Sequence, residues 1–389
     1  MERSDVIVIG GGLAGFAAAW HLSEHHKVTV FEQNASPGLQ ASAQNAGMIR
    51  LMDEDPVNRA LALRTQRFFT QPPQDWDGLT PSRETGAVLS LAHDKFALHD
   101  AAAWLRAAGI PVEMLTQPEE VAPILRGTRL QCHWYLKTAR IASPTDILKG
   151  FVQGLTRNGG KIRCARKVQQ LWVEDGRVQG VVTAQGHHAA DNVVVAAGAW
   201  SGHFSAHDAP RFYPIRRTIL RTEAHELAQP QHPWCWVHDV GCYVRPDNGV
   251  WQASPCDEQL VAVPEEEHSA GEPEECAREL LRSKLTAWIP LLQDARFSDG
   301  WTGLRTFATD RRPVLGPDPK MPGLWWAAAL GGFGVSTAYA VGEALAYQFR
   351  GEPTPWLDQV GTHPGREYPS RWVIYPTGDH NNATVANAG

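Results

Sequence analysis

The chain has no long apolar run. Nothing in its 389 residues approaches the roughly 18–20 consecutive apolar positions that span a bilayer. No transmembrane segment is expected, and peripheral membrane contact stays open. Basic charge is not in excess either. A net charge of −6 gives no footing for nucleic-acid binding. The six cysteines (132, 164, 235, 242, 256 and 276) include no C-x-x-C pair, which argues for free thiols in a reducing compartment and a cytoplasmic location. No basic stretch precedes the first apolar segment, so no signal peptide is read there. The histidine pairs at 25–26 and 187–188 are adjacent and lack i,i+4 ligand spacing, so no metal site is expected. Internal repeats and low-complexity blocks are missing too. What remains is an ordinary globular composition, 43% hydrophobic and 20% charged, long enough for two domains.

What is present begins at once. Residues 5–9 read as a buried strand and run into Gly10-Gly11-Gly12-Leu13-Ala14-Gly15. An alanine-rich helix over 16–22 follows, then a second strand over 28–31 that ends on Glu32. Strand, G-x-G-x-x-G, helix, strand, acid is the pattern of a dinucleotide site. Gly10 permits the tight turn, Gly12 lets the backbone approach a pyrophosphate, and Gly15 lets helix and strand pack closely. The helix N-terminus offers N–H groups and a positive dipole end to the phosphates. Glu32 is placed to accept hydrogen bonds from ribose hydroxyls.

Further along, Gln71-Pro72-Pro73-Gln74 reads as a loop. Ser143-Pro144-Thr145-Asp146 reads as a helix start with Asp or Thr near the cap. That helix runs through Phe151 and Leu155 to Asn158-Gly159-Gly160. A strand over 161–164 precedes a hairpin, 168–173 and 177–183, turning at Glu174-Asp175-Gly176. Residues 192–200 form a buried strand running into a small-residue turn. Residues 324–329 form another, followed by Leu330-Gly331-Gly332-Phe333-Gly334 and a helix over 336–349. Three glycine-ended strands so scattered imply a discontinuous domain. The fold expected is α/β: a Rossmann-like domain from 1–85, 143–205 and 300–350, covered by a mixed or antiparallel sheet domain from 86–142 and 206–299. Residues 351–389 form a tail, disordered over 381–389.

Together these segments resemble the D-amino-acid oxidase/glycine oxidase/sarcosine oxidase superfamily of FAD enzymes. Gly38-Leu39-Gln40-Ala41-Ser42-Ala43-Gln44-Asn45-Ala46-Gly47 resembles its flavin-contacting loop, and 193–201 its second FAD motif. Trp301-Thr302-Gly303-Leu304-Arg305 with Asp310, Pro313 and Gly316 resembles its late G-x-R segment. Gly331-Gly332-Phe333-Gly334 resembles its closing loop. The match covers roughly residues 4–350, and bacterial D-arginine dehydrogenases resemble it most within the superfamily. The resemblance implies FAD, usually not covalently attached at this loop. It places the cofactor on Gly10, Gly12, Leu13, Ala14, Gly15, Glu32 and Gln33; on Ala41, Ser42, Gln44, Asn45, Ala46, Gly47 and Met48; on Lys167, Val168, Ala197, Gly198, Trp200 and Arg305; and on Gly331, Gly332, Phe333, Gly334, Val335 and Ser336.

Four residues are candidates for the chemistry. Arg305 reads as a bidentate clamp on a substrate carboxylate, against a structural ion pair. Arg216 and Arg217 sit on a strand, so at most one faces the site; the resemblance selects Arg217, against two solvent-facing arginines. Tyr243 is either a pocket tyrosine that holds the carboxylate or a core aromatic. Arg50 is either a cation near the flavin or a partner of Asp53 or Glu54. The D-arginine dehydrogenases carry a histidine where this chain has Met48. The segment matching their guanidinium-reading acid is Glu84-Thr85-Gly86, which leaves an apolar or aromatic pocket open, with Trp134, Trp234 and Trp236 at hand.

The reaction expected is hydride transfer from the Cα of an amino acid, in the D form, to flavin N5. The imine product gives a 2-oxo acid and ammonia, and oxygen or a quinone-type acceptor reoxidises the flavin. The alternatives are oxidation of a secondary amine such as sarcosine, a flavoprotein without amino-acid turnover, and a nicotinamide-dependent reductase. The last would need a second G-x-G-x-x-G with a strand-end acid, and none is found.

Overall fold

The structure, a computed structural model, describes residues 3–72, 76, 81–94, 96–205, 210–263 and 271–357. The Pro73-Gln74 half of the proline loop and the tail over 381–389 lie outside them.

Strand Ser4–Ile9 is central in an eight-stranded sheet. It is apolar from Val6 to Ile9 and covered on both faces, Val6 and Val8 by helices and Ile7 and Ile9 by strand residues such as Val168, Val178 and Val181. One neighbour is Val28–Phe31, itself paired with Lys161–Arg163. The other is Gly186–Val195, with Val195 opposite Ile9. Gly186–Val195 pairs in turn with Leu324–Ala328, Trp326 opposite Val195. The three glycine-ended strands, remote in sequence, are therefore parallel neighbours, and their turns open at one edge of the sheet. The hairpin Val168–Glu174 and Arg177–Thr183 extends the sheet from Gly186–Val195, and Val314–Pro317 closes the far edge.

Helix Leu13–Leu22 is sealed on every side, which explains its apolar circumference. Ala17, Ala18 and Ala19 let helix Gly334–Phe349 approach until a Cβ on Gly342 would lie 2.5 Å from the Ala17 backbone. Helix Pro144–Arg157 packs on another flank, with Gly154 against the Trp20 ring. Its cap differs from the sequence reading. Ser143 is the N-cap, and its Oγ accepts from the Asp146 N–H at 3.3 Å. Pro144 has no N–H to satisfy and suits the first helical position, so the cap falls one residue before it.

The second sheet has nine strands in the order Gln259–Leu260, Phe212–Thr222, Val250–Ser254, Cys242–Asp247, Trp234–Val237, Ala87–Leu91, Cys132–Leu136, Val112–Met114, while Phe297–Ala308 runs the whole length of Phe212–Thr222. The sheet is mixed: Trp234–Val237 and Ala87–Leu91 are parallel and the other pairs antiparallel. The sequence boundary at residue 300 falls inside Phe297–Ala308, which stays in this sheet to Ala308. The chain leaves that strand near Arg311, whose φ is +62°, before Val314 rejoins the first sheet. A small third sheet joins Met48–Ile49, Arg140–Ala142 and Ser82–Glu84. Among the described residues, no helix is long and apolar enough to cross a membrane, and no group of three His, Cys, Asp or Glu side chains is gathered to hold a metal ion.

Candidate active site

A cavity of about 590 Å³ opens where the glycine turns meet, and Leu304, Arg305 and Thr306 of the second sheet close it on one side. That volume suits a cofactor-sized ligand. The turns span four adjacent strands, from Glu32 after Val28–Phe31 to Gly331 after Leu324–Ala328. Three strand spacings make this roughly 14 Å, an elongated trough.

Gly10 turns with φ +108°, and a Cβ there would lie 2.4 Å from the Ala196 carbonyl oxygen. One on Gly15 would lie 1.9 Å from the Gly10 carbonyl oxygen, so helix and strand meet backbone to backbone. Helix Leu13–Leu22 begins at the trough with no side-chain cap and no acid in its first turn. That leaves N–H groups for a phosphate; the Leu13 N–H is held by Ser42 Oγ at 3.0 Å. Glu32 lines the trough too. Its carboxylate also clasps two loops, accepting from the Gly11 N–H at 2.7 Å and from the Asn34 N–H and Nδ2 at 2.8 and 2.9 Å. An uncapped helix start, glycines that no side chain could replace and an acid at the ribose end fit FAD. Among the chain's residues, the first glycine turn and Ser42 would hold its phosphates.

Of the residues assigned to the cofactor, Gly10, Gly12, Leu13, Ala14, Glu32, Gln33, Ala41, Ser42, Gln44, Asn45, Lys167, Val168, Ala197, Gly198, Trp200, Arg305, Gly331, Gly332, Gly334 and Val335 line this one trough. Gly15, Ala46, Gly47, Met48, Phe333 and Ser336 stand behind it. Gly47 accepts from the Ala142 N–H at 2.6 Å. Ser336 Oγ donates to the Met48 carbonyl at 3.2 Å and accepts from the Arg50 N–H at 3.0 Å, fixing the segment that carries Arg50. Asn34, Arg166, His203 and Thr306 also line the trough, and the sequence reading missed them. Asn34 could have been found by its place two residues past Glu32; His203 lies on the short Gly198–Phe204 turn and carried no signal.

Of the four chemical candidates, Arg305 lines the trough and Arg217, Tyr243 and Arg50 do not. Ile215 pairs with Arg305 and Arg217 with Gly303, so Arg217 and Arg305 share one face of the sheet and Arg216 lies on the other. Arg216 pairs with Glu274. Arg217 is engaged by the 256–258 loop: it donates to the Cys256 carbonyl, to the Asp257 carbonyl at 2.7 Å and to Glu258 at 2.7 Å. The expected second clamp is thus already spent on protein groups, because that loop reaches it first. Burial would raise the Glu258 carboxyl, but Arg217 and Arg311 outweigh it and hold it below the usual range.

Arg305 differs. Among the described residues its guanidinium has no hydrogen bond or ion pair, so the structural-pair alternative does not form. It fits only because residue 332 is glycine: a Cβ there would lie 2.4 Å from Arg305 Nη1. Burial, then the Arg217 cation, pull its pKa down. Tyr243 is 1% exposed, and its hydroxyl, with Ser254 alongside, completes no well-aligned hydrogen bond; burial pushes the phenol up to about 12. Its ring stacks on Trp236 at 5.1 Å. Arg50 lies 4.4 Å from the Trp236 ring centroid and 3.6 Å from that of Phe333. The alternative pairing with Asp53 or Glu54 is not made: Glu54 pairs with His238 at 2.8 Å, and Asp53 accepts from the Asp55 N–H at 3.0 Å and Asn58 Nδ2 at 3.3 Å. Burial brings the Arg50 pKa down to about 10. Glu84, in the segment compared with a guanidinium-reading acid, is 3.5 Å from Arg140.

Comparison with known proteins agrees with this geometry. The family profile described as DAO, FAD dependent oxidoreductase, matches residues 5–348. A glycine oxidase of Bacillus licheniformis is 25% identical over 387 residues, covering 92% of this chain and 96% of its own. The solved glycine oxidase from Geobacillus kaustophilus superposes with a TM-score of 0.78 at 22% identity, covering 95% of this chain and 100% of that one. L-Proline dehydrogenase from P. horikoshii does so with a TM-score of 0.81 at 20% identity, covering 93% and 97%.

Proposed function

The chain belongs to the DAO family of FAD-dependent oxidoreductases, enzymes acting on C–N donors, and we propose that it oxidises the Cα–N bond of a small α-amino acid whose carboxylate is held by Arg305. The observation that carries this reading is the unpaired Arg305 guanidinium at the junction of the cofactor trough with the second sheet. A planar fork without a protein partner matches a carboxylate bidentately.

When bound, FAD supplies the two-electron acceptor for the hydride that leaves Cα. The chain's own groups do the rest. Arg305 fixes the carboxylate and so the orientation of Cα, which replaces a bimolecular encounter by a positioned one. Arg50, Arg217 and Arg305 together disfavour an ammonium, so the amine binds neutral with its lone pair ready to form the C=N bond. Its remaining proton is lost to solvent. The buried Tyr243 hydroxyl, which makes no well-aligned hydrogen bond within the protein, donates to the carboxylate. Water then converts the imine to a 2-oxo acid and ammonia, or to a 2-oxo acid and a primary amine where the nitrogen carries an alkyl group. For a chiral substrate the proposed hand is D, carried over from the family resemblance of the flavin loops. The six cysteines are free, which supports a reducing, cytoplasmic setting.

The test is an anaerobic panel of D-, L- and N-methyl amino acids read by flavin bleaching, followed by admission of air to separate oxygen from a quinone-type acceptor. Bleaching is expected for at least one small amino acid. Arg305→Ala should cut its kcat/KM about 10³-fold, since truncating one partner of a hydrogen-bonded charge pair costs about 2–5 kcal/mol. Equal bleaching by Arg305→Ala, or none by any amine, overturns the reading.

A further inference from the structure

Among the described residues, two guanidiniums, not one, lie without a hydrogen-bonding partner beside the Gly332-Phe333 turn, and of these Arg305 lines the cavity. Arg305 is one. Arg50 is the other: its Nε is buried with no hydrogen bond, and among the described residues its terminal nitrogens make no hydrogen bond or ion pair. Other arginines nearby are matched with acids. Arg217 and Arg311 share Glu258, Arg312 takes Asp55 at 2.7 Å, and Arg245 takes Asp247 at 3.1 Å. The flat faces of Arg50 rest on Trp236 and Phe333. Rings support a cation through their quadrupole, but they accept none of its N–H groups.

The two free guanidiniums are adjacent. Consecutive residues touch them: Gly332 leaves room for Arg305 Nη1, and Phe333 stacks on Arg50. Burial lowers the Arg50 pKa, and the Arg305 cation lowers it further. A substrate with a single carboxylate on Arg305 would leave Arg50 desolvated, with the Asp53 charge nearby but no acceptor for its N–H groups, and a buried cation without hydrogen bonds is costly.

We propose that the chamber is built for an amine carrying two carboxylates, one gripped by Arg305 and the second by Arg50. This rests on the reading of Arg305 given above. The second carboxylate belongs either to an acidic side chain or to an N-carboxyalkyl group; both present the same anion to Arg50.

The test separates this proposal from the reaction it rests on, because it needs no turnover. Holoenzyme is titrated with malonate, succinate and glutarate and with their monocarboxylate counterparts acetate, propionate and butyrate, read by perturbation of the flavin spectrum and by calorimetry. At least one diacid should bind ten-fold or more tightly than its monoacid. Arg50→Met should bring that ratio close to one, and Arg50→Lys should keep part of it. A wild-type ratio within two-fold overturns the proposal, as does an Arg50→Met variant that weakens diacids and monoacids equally, the result expected if Arg50 shares one carboxylate or serves only the flavin. In turnover, aspartate, glutamate and iminodiacetate should exceed alanine, glycine and sarcosine in kcat/KM. Diacid preference without any bleaching would overturn the oxidation reading while upholding this one.

Discussion

Gly332→Ala tests whether Arg305 is held in place for a substrate. The added Cβ would lie 2.4 Å from Arg305 Nη1, and ordinary contact begins near 3.4 Å, so the guanidinium must move by about 1 Å. It is the end of a long side chain and can swing aside, and Gly332 does not occupy the left-handed region. Stability should therefore change by less than about 1 kcal/mol. Catalysis should not escape so lightly, because a 1 Å misplacement of a positioning group costs about 10²-fold, equivalent to about 2.7 kcal/mol in the barrier. The assay is stopped-flow flavin reduction under anaerobic conditions, with FAD content and thermal midpoint measured on the same sample. Gly332 also lines the trough, so the double variant Gly332→Ala/Arg305→Ala completes the argument. If both changes act through one guanidinium, the second adds little to the first. A kcat/KM within three-fold of wild type at full FAD content, or fully additive losses in the double variant, would refute the reasoning.

Two further predictions rest on buried polar groups. Tyr243→Phe should leave the thermal midpoint equal or slightly higher, because the hydroxyl it removes makes no well-aligned hydrogen bond within the protein, while kcat/KM falls about ten-fold; a loss of midpoint with unchanged kinetics would make Tyr243 a core residue. His21 is buried beside Trp20 and Tyr339, and burial lowers its pKa from 6.5 to about 4. The unfolded chain therefore binds the proton more readily, so His21 contributes stability above pH 6.5 that is lost as pH falls towards 4, about 3 kcal/mol in all. Denaturant titrations of wild type and His21→Phe across that window should diverge in slope, and parallel curves would show that His21 does not titrate on unfolding.

Local rules made the cofactor half of the molecule readable. The glycines at 10, 12 and 15 answer to contacts within one strand–turn–helix unit, and the period of the apolar residues around them marks strand and helix without outside help. Strand parity likewise put Arg216 and Arg217 on opposite faces before any fold was known. The boundary at 300 falls inside strand Phe297–Ala308, whose sheet is chosen by pairing with Phe212–Thr222, far off in sequence. The cap is Ser143, two residues before Thr145 and three before Asp146, because the proline's missing N–H suits it to the first helical position.

The sequence by itself determined that a dinucleotide is held at glycine-ended strands and that an arginine follows the late Gly303-Leu304 step, because both depend on backbone sterics and short-range spacing. Only the tertiary structure decided which arginines are free. Arg217 is spent because the 256–258 loop folds over it, Arg216 because helix Glu275–Trp288 brings Glu274 alongside, and Arg50 is left open because Trp236 and Phe333 offer it faces and no acceptors. A guanidinium's availability depends on what packs against it in space, and those partners lie in segments that no spacing along the chain connects.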